Sequence, residues 1–354
     1  MKILHTADLH LQKSSGRRWE AFCQLADLAC REQVGLLVIS GDLFDREVDA
    51  EQLRPLMRQI FSRGDFTTII IPGNHDRGAF RSGLYFGDRV KIITDLNKPY
   101  DCGAALIHGF PYEPCTGEQV AYRLQGLTGR LSRQVPNILL YHGELLDAFF
   151  SRWEWGEEGE QRYMPVKLSF FQGVPLDYVL AGHFHSRFAV WPLPEGGCFV
   201  YPGSPVAITS RERGRRKANL FQLGESPGER LLSTFHLEEI RLELEPGEGG
   251  DPVTRLAERL AEIHPAARLL LIVDGFMNSR LLGISEEELV DRIKQVAGDR
   301  LYREAAFLFQ DVSAILENSL YKAFVKELEQ MDHPPEEQKN LRDLVIRAMA
   351  GVGR

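Results

Sequence analysis

Five apolar runs along this chain each end in a short polar motif rich in aspartate and histidine, and that ordered set limits the fold more than any other feature. Ile3–Ala7 leads into Asp8-Leu9-His10, and Leu36–Ser40 into Gly41-Asp42-Leu43-Phe44-Asp45. Thr68–Pro72 leads into Gly73-Asn74-His75-Asp76, Ile138–Tyr141 into His142-Gly143-Glu144, and Tyr178–Ala181 into Gly182-His183-Phe184-His185. Short apolar runs bounded by turn residues read as β-strands. Motifs at the ends of neighbouring strands converge on one rim.

The residue types suit two divalent cations. Such a pair, ~3.5–4 Å apart, needs one anionic oxygen that bridges them and nitrogen or oxygen ligands for the rest. Asp42 reads as the bridge. Asp8, His10 and His185 can complete one cation, and Asn74, His142 and His183 the other. Mixed imidazole and carboxylate without thiolate suits Mn, Fe or Zn better than Mg or Ca, with Mn2+ the first choice. Taken singly, each motif also fits a turn or a cap, and alternate residues of a strand such as His183 and His185 ordinarily splay. The five in order are what point to a metal centre.

With these motifs the chain resembles the calcineurin-like metallophosphoesterase superfamily. The opening Met1–His10, the Gly41–Asp45 form of the second motif, Leu176–His185 and the later Tyr201-Pro202-Gly203-Ser204-Pro205 look like its SbcD branch, which holds DNA double-strand-break repair nucleases of the meiotic-recombination-eleven type. The resemblance covers residues 1 to about 225 and becomes architectural beyond them. It implies an α/β fold: a two-sheet metallophosphoesterase sandwich flanked by helices, a smaller α/β capping domain and C-terminal helices. It also implies that Asp8, His10, Asp42, Asn74, His142, His183 and His185 hold the metals. His75 would be the catalytic histidine that protonates or stabilises the departing oxygen, with Asp76 placed to orient its ring. Asp45 would fix the orientation of a ligand, or else cap the helix that follows.

Expected boundaries are residues 1–230 for the nuclease domain, 231–312 for a capping domain that positions DNA, and 313–354 for a helical segment. The turn-rich stretch from Glu245 to Gly250 marks a change in composition, and Ser285-Glu286-Glu287-Glu288 reads as a capping box. Leu316, Leu320, Phe324, Leu328 and Met331 share one helical face, followed by Leu341, Leu344 and Val345 after a Pro334-Pro335 break. In the resembled family such helices attach to an SbcC-type SMC-like ATPase. This face fits that partner, a second copy of the chain, or the chain's own body.

With 354 residues and 44% hydrophobic content, the chain can build two cores or slightly more. No apolar run approaches a membrane span of ~18 residues, residues 1–10 form a strand and its ligands, and the expected location is cytoplasmic. Five cysteines lack C-x-x-C spacing, which argues against disulfides and structural zinc. A net charge of −8 means that DNA must be met by a local basic patch. Arg213, Arg215, Arg216 and Lys217, with Arg211, form the densest one, and Arg17, Arg18, Arg77 and Arg81 are secondary candidates. The expected activity is two-metal DNA phosphodiester hydrolysis, exonuclease or endonuclease. The alternatives are a small-molecule phosphodiesterase or nucleotidase with the same metals, and a mainly non-catalytic scaffold for an ATPase.

Overall fold

The computed structural model describes residues 1–80, 84–148, 163–247 and 250–352. Arg81, and Glu248 and Gly249 of the turn-rich stretch, lie outside them. Two compact units divide the chain, Met1–Leu237 and Glu238–Arg354.

The first half of unit one runs β1 (Lys2–Thr6), α1 (Arg17–Arg31), β2 (Leu36–Ser40), α2 (Glu47–Phe61), β3 (Thr67–Ile71) and β4 (Val90–Ile92). Then come β5 (Tyr100–Asp101), β6 (Leu106–Phe110), α3 (Gly117–Gln125), β7 (Asn137–His142), β8 (Tyr178–Gly182), β9 (Ala189–Pro192), β10 (Cys198–Tyr201), β11 (Lys217–Gln222) and β12 (Glu229–Leu231). One six-stranded sheet has the order β12-β11-β1-β2-β3-β4 and the other β5-β6-β7-β8-β10-β9. The central neighbours β1-β2-β3-β4 and β6-β7-β8-β10 are parallel, so their carboxyl ends share a direction.

Alternation along each strand builds the layers. Leu36 and Val38 of β2, with Ile3, Ile69 and Ile71, meet Ile138, Leu140, Leu180 and Val200 of the second sheet in one buried cluster. The intervening Leu37 and Ile39 turn outward onto Phe22 and Leu25 of α1 and Met57 and Ile60 of α2. Leu139, Val179 and Phe199 likewise pack outward on Val120 and Leu124 of α3. Unit one is therefore the expected sandwich of two sheets flanked by helices. Burial on both faces explains why these strands read as continuous apolar runs.

Unit two contains β13 (His236–Leu244) continuing from unit one, α4 (Pro252–Glu262), β14 (Ala267–Met277), α5 (Ser279–Leu282), α6 (Glu286–Ala297), β15 (Ala306–Asp311), α7 (Ser313–Leu316), α8 (Ser319–Leu328) and α9 (Pro335–Val352). Its sheet has the order β13-β14-β15. Leu256 and Leu260 of α4 and Leu289 and Ile293 of α6 close over Leu269, Leu271 and Val273. Asp251 caps α4, and Ser285 caps α6 by accepting a hydrogen bond from the Glu288 amide at 3.2 Å.

The first unit runs to Leu237. Leu232 packs into the α1/α2 core and Phe235 lies under the Arg17 guanidinium at 3.6 Å. The helices from Ser313 onward belong to unit two. Leu316, Phe324 and Val345 pack with buried Val312, Tyr321 and Ile346 and with Phe276 of β14, and Leu328 is buried. Leu320, Met331 and Leu344 stay exposed.

Candidate metal centre

The motif residues lie at or just past the carboxyl ends of β1, β2, β3, β7 and β8, where open α/β sheets place their ligands. The chain makes sharp exits there. Asp8, His10, Asp42 and His183 all have left-handed backbone, with φ of 56°, 47°, 49° and 103°. Non-glycine residues pay for that conformation in strain and keep it where the surroundings over-determine it. The exits are pinned to one another: the Asp8 amide donates to Gly41 O at 3.2 Å and the His10 amide to Asp42 O at 2.9 Å. Gly41 and Gly73 have no room for side chains. A Cβ on Gly41 would meet the His142 ring at 2.0 Å, and one on Gly73 would meet Asp42 Oδ1 at 2.1 Å.

Acceptor atoms face one another across the rim. The Nδ1 atom of His142 lies 2.8 Å from Ser40 O, which makes it the protonated nitrogen and turns the lone pair of Nε2 inward. That Nε2 is 2.9 Å from Asn74 Oδ1 and 3.3 Å from Asp42 Oδ2. On the other side His10 Nε2 is 3.3 Å from His185 Nε2 and 3.7 Å from Asp42 Oδ2, and His185 Nε2 is 3.9 Å from Asp8 Oδ1. Asp42 Oδ2 is buried, makes no hydrogen bond among the described residues, and stands between the His10 and His142 nitrogens. Buried acceptors that converge without protons are costly unless a cation joins them. Asp8, His10 and His185, and likewise Asp8, Asp42 and His142, offer ligand atoms within 4.8 Å of one another. The donor set therefore fits two divalent cations. His183 reaches the same rim from β8, its amide donating to both Asp8 oxygens at 3.0 Å and its ring 5.5 Å from that of His142.

Charge follows the same logic. Burial opposes a charged His142, but the adjacent Asp42 carboxylate outweighs it and pushes the imidazole up to about 10. Burial likewise works against the Asp42 carboxylate, yet the surrounding His142, His10 and His75 rings hold it well below the usual range. Asp8 moves the other way, raised by burial. Absent a cation, a proton is what balances this cluster.

The residues behind the ligands are well defined. Asp45 Oδ1 is 3.5 Å from His10 Nδ1 and accepts Arg18 Nη1 at 2.9 Å, while Arg18 also donates to His10 O at 2.7 Å. Asp45 thus sets the His10 ring, and the N-cap of α2 is Arg46. Glu212, almost fully buried inside the basic stretch, accepts from His185 Nδ1 at 3.3 Å. Burial pushes its carboxyl up, but His185 and Arg216 outweigh this and hold it at about 2.

Several expectations are corrected. Asp76 is buried, with its carboxylate accepting the Gly73 amide at 2.8 Å and the Phe44 amide at 3.1 Å. It ties the second and third motif loops together, and the His75 ring has Asp45 O 3.1 Å from its Nδ1. Burial and the Asp42 charge push Asp76 up to about 7. Arg216 is not a surface phosphate contact either. It is buried, and its guanidinium donates to the carbonyls of Ser204, Ser186 and His185. Lys217 pairs with Glu229, and Arg215 donates to Leu232 O at 3.2 Å. Arg213 and Arg211 are exposed. Of the secondary candidates, Arg18 and Arg17 are held as described above, and Arg77 is exposed beside the third motif. Glu212 escaped the sequence reading because it sits among four arginines. The one signal for it is that single carboxylate.

The calcineurin-like phosphoesterase family matches residues 1–187, and the chain belongs to that family, whose members are two-metal hydrolases. Two curated relatives are both called "DNA double-strand break repair protein Mre11". The one from Sulfurisphaera tokodaii is 26% identical over 230 residues, 60% of this chain and 55% of that protein. The one from Saccharolobus solfataricus is 26% identical over 235 residues, 60% of this chain and 56% of that protein. The chain thus spans about half the length of these relatives. Among solved structures, that of a 5'-nucleotidase precursor from Thermus thermophilus is similar at 16% identity and a TM-score of 0.36, over 66% of this chain and 54% of that one.

Proposed function

We propose that this chain is a Mn2+-dependent DNA phosphodiesterase, the nuclease subunit of a DNA repair complex. The observation that carries the reading is the position of Asp42 Oδ2 between two clusters of acceptors, with His75 next to it. The names of the two curated relatives support DNA as the substrate.

The site residues divide the work. Asp8, His10 and His185 would hold one cation, Asn74, His142 and His183 the other, and Asp42 both. When bound, the cations would lower the cost of bringing a water oxygen to phosphorus and neutralise the phosphoryl oxygens. His75 is anchored at both ends, its amide donating to Asp42 Oδ1 at 2.9 Å and its Nδ1 at Asp45 O. In this reading the ring so held gives a proton to the departing oxygen, which completes cleavage of the P–O bond. The ring edge stands against His10, centroids 4.6 Å apart, which keeps it beside the residues that would hold the cations.

DNA contact is assigned to Arg213 with Arg211 on the 209–216 loop, and to Arg77. An SbcC-type SMC-like ATPase or a second copy of this chain would meet the exposed Leu320, Met331 and Leu344. Among the described residues no helix is long and apolar enough to cross a membrane, and a cytoplasmic setting belongs to the same proposal.

Digestion of labelled single-strand, blunt and hairpin DNA with Mn2+, beside bis-p-nitrophenyl phosphate and mononucleotides, tests the reading. Shortened DNA products support it. Phosphate release from mononucleotides with DNA left intact would instead make the chain a small-molecule phosphoesterase, and no turnover of any substrate would leave the scaffold.

A further inference from the structure

We propose that Glu212 is a positioning residue that fixes His185 and thereby governs one of the two cation sites. The inference rests on the metal-centre reading and is independent of DNA being the substrate. Five donors converge on this one carboxylate. Oε1 receives His185 Nδ1 at 3.3 Å, the Thr209 amide at 3.2 Å and Thr209 Oγ1 at 3.3 Å. Oε2 receives Ser204 Oγ at 3.0 Å and the Ile208 amide at 2.9 Å. Only a group that accepts on both atoms satisfies them. A glutamine here would turn a donor toward a donor in either flip: toward His185 and Thr209, or toward Ser204 and Ile208.

The carboxylate decides which His185 nitrogen carries the proton. With Nδ1–H directed at Glu212, the Nε2 lone pair points at His10 Nε2 and Asp8 Oδ1. Arg216 holds the other end of the same unit. Its Nε donates to Ser204 O at 2.9 Å and its Nη2 to Ser204 Oγ at 3.0 Å, and it also reaches His185 O. The backbone of His185 is thus held by Arg216 and the ring by Glu212. Asn74 and His142 take no part in this network, being fixed to Ser40 and to each other. Glu212 therefore acts on the Asp8–His10–His185 position and leaves the other alone.

The test is Mn2+ binding to the metal-free full chain by titration calorimetry, with imidazole nitrogen NMR as a readout independent of turnover. The parent protein is expected to bind two ions, with His185 in the Nδ1–H form. Glu212→Gln should weaken one ion by about 10–100-fold and keep the other, and the His185 nitrogen shifts should move. Glu212→Asp, which keeps the charge on a shorter arm, should give a smaller loss in the same ion and serves if the glutamine variant does not fold. Ser204→Ala removes one donor on the far oxygen. It should lower the melting temperature while keeping both affinities. Parental affinities and unmoved His185 shifts in both Glu212 variants would overturn the proposal, as would equal loss of the ion in Ser204→Ala, which would reduce Glu212 to a loop anchor. A parent that binds no Mn2+ would count against the metal centre itself, before any variant is measured.

Discussion

Asn74 Oδ1 and His142 Nε2 lie 2.9 Å apart, brought together from the ends of β3 and β7, with the His142 ring already committed through Nδ1 to Ser40 O. In the proposed centre the pair would hold one cation, and Asp8, His10 and His185 the other. Asn74→Ala is accordingly expected to weaken one Mn2+ by at least the 10–100-fold seen when a ligand's supporting partner is lost, with the second ion retained. Calorimetric stoichiometry checks it. Loss of both ions together would mean that the two positions are not separable.

His75 is expected to serve the reaction and not metal binding. His75→Ala should fold, bind two Mn2+ ions with parental affinity and cleave slower by ~10²–10⁴, the usual worth of a positioned proton donor. The diagnostic is single-turnover cleavage measured alongside metal content. Parallel loss of metal and rate would place the ring among the ligands.

His5 gives the fold a specific acid sensitivity. Its side chain is fully buried in β1, and burial, opposed only by the backbone of Ala181, lowers its pKa to about 3. Between the ordinary value of 6.5 and about 3 the unfolded chain binds a proton there that the folded chain does not. Stability therefore falls as pH drops through that window, by about 1.4 kcal/mol per pH unit. His5→Phe should flatten the pH dependence of denaturant unfolding below about pH 6.5 by about one proton. The same slope in parent and variant would show that the imidazole titrates normally.

Arg216 and Arg213 lie close in sequence and should behave oppositely. Arg216→Ala removes a buried guanidinium that donates to the carbonyls of Ser204, Ser186 and His185, and a buried acceptor that loses its donor costs about 1–3 kcal/mol, so a fall in melting temperature is expected. Arg213→Ala should flatten the salt dependence of DNA binding by roughly 0.7–0.9 in log–log slope. An unaltered salt slope would make Arg213 a solvated turn residue.

Legibility in the sequence followed locality. The strands and their motifs could be read because buried strands are continuous in sequence and each ligand sits close past a strand end. The gathering of Asp8, His10, Asp42, Asn74, His142, His183 and His185 at one rim came from that pattern, and the sandwich from the family resemblance that the motifs carry. What could not be read depends on contacts distant in sequence. Glu212 meets His185 across 27 residues and Arg18 meets Asp45 across 27, and both were hidden by the basic residues around them or by their own charge. Composition marks 211–217 as basic but does not distinguish buried Arg216 from exposed Arg213. The stripe on α7 and α8 was visible as periodicity. Its covering by Ile346 and Phe276 needed α9 and β14 in place.

The central claim is that two cations share one carboxylate, and Asp42→Asn tests it most directly. The substitution keeps the acceptor for the His75 amide and removes the charge at Oδ2, between His10 and His142. Mn2+ stoichiometry on the folded, metal-free variant should show neither site tightly filled, whereas Asn74→Ala loses only one. Two ions bound to Asp42→Asn with the parent's affinity would contradict the account.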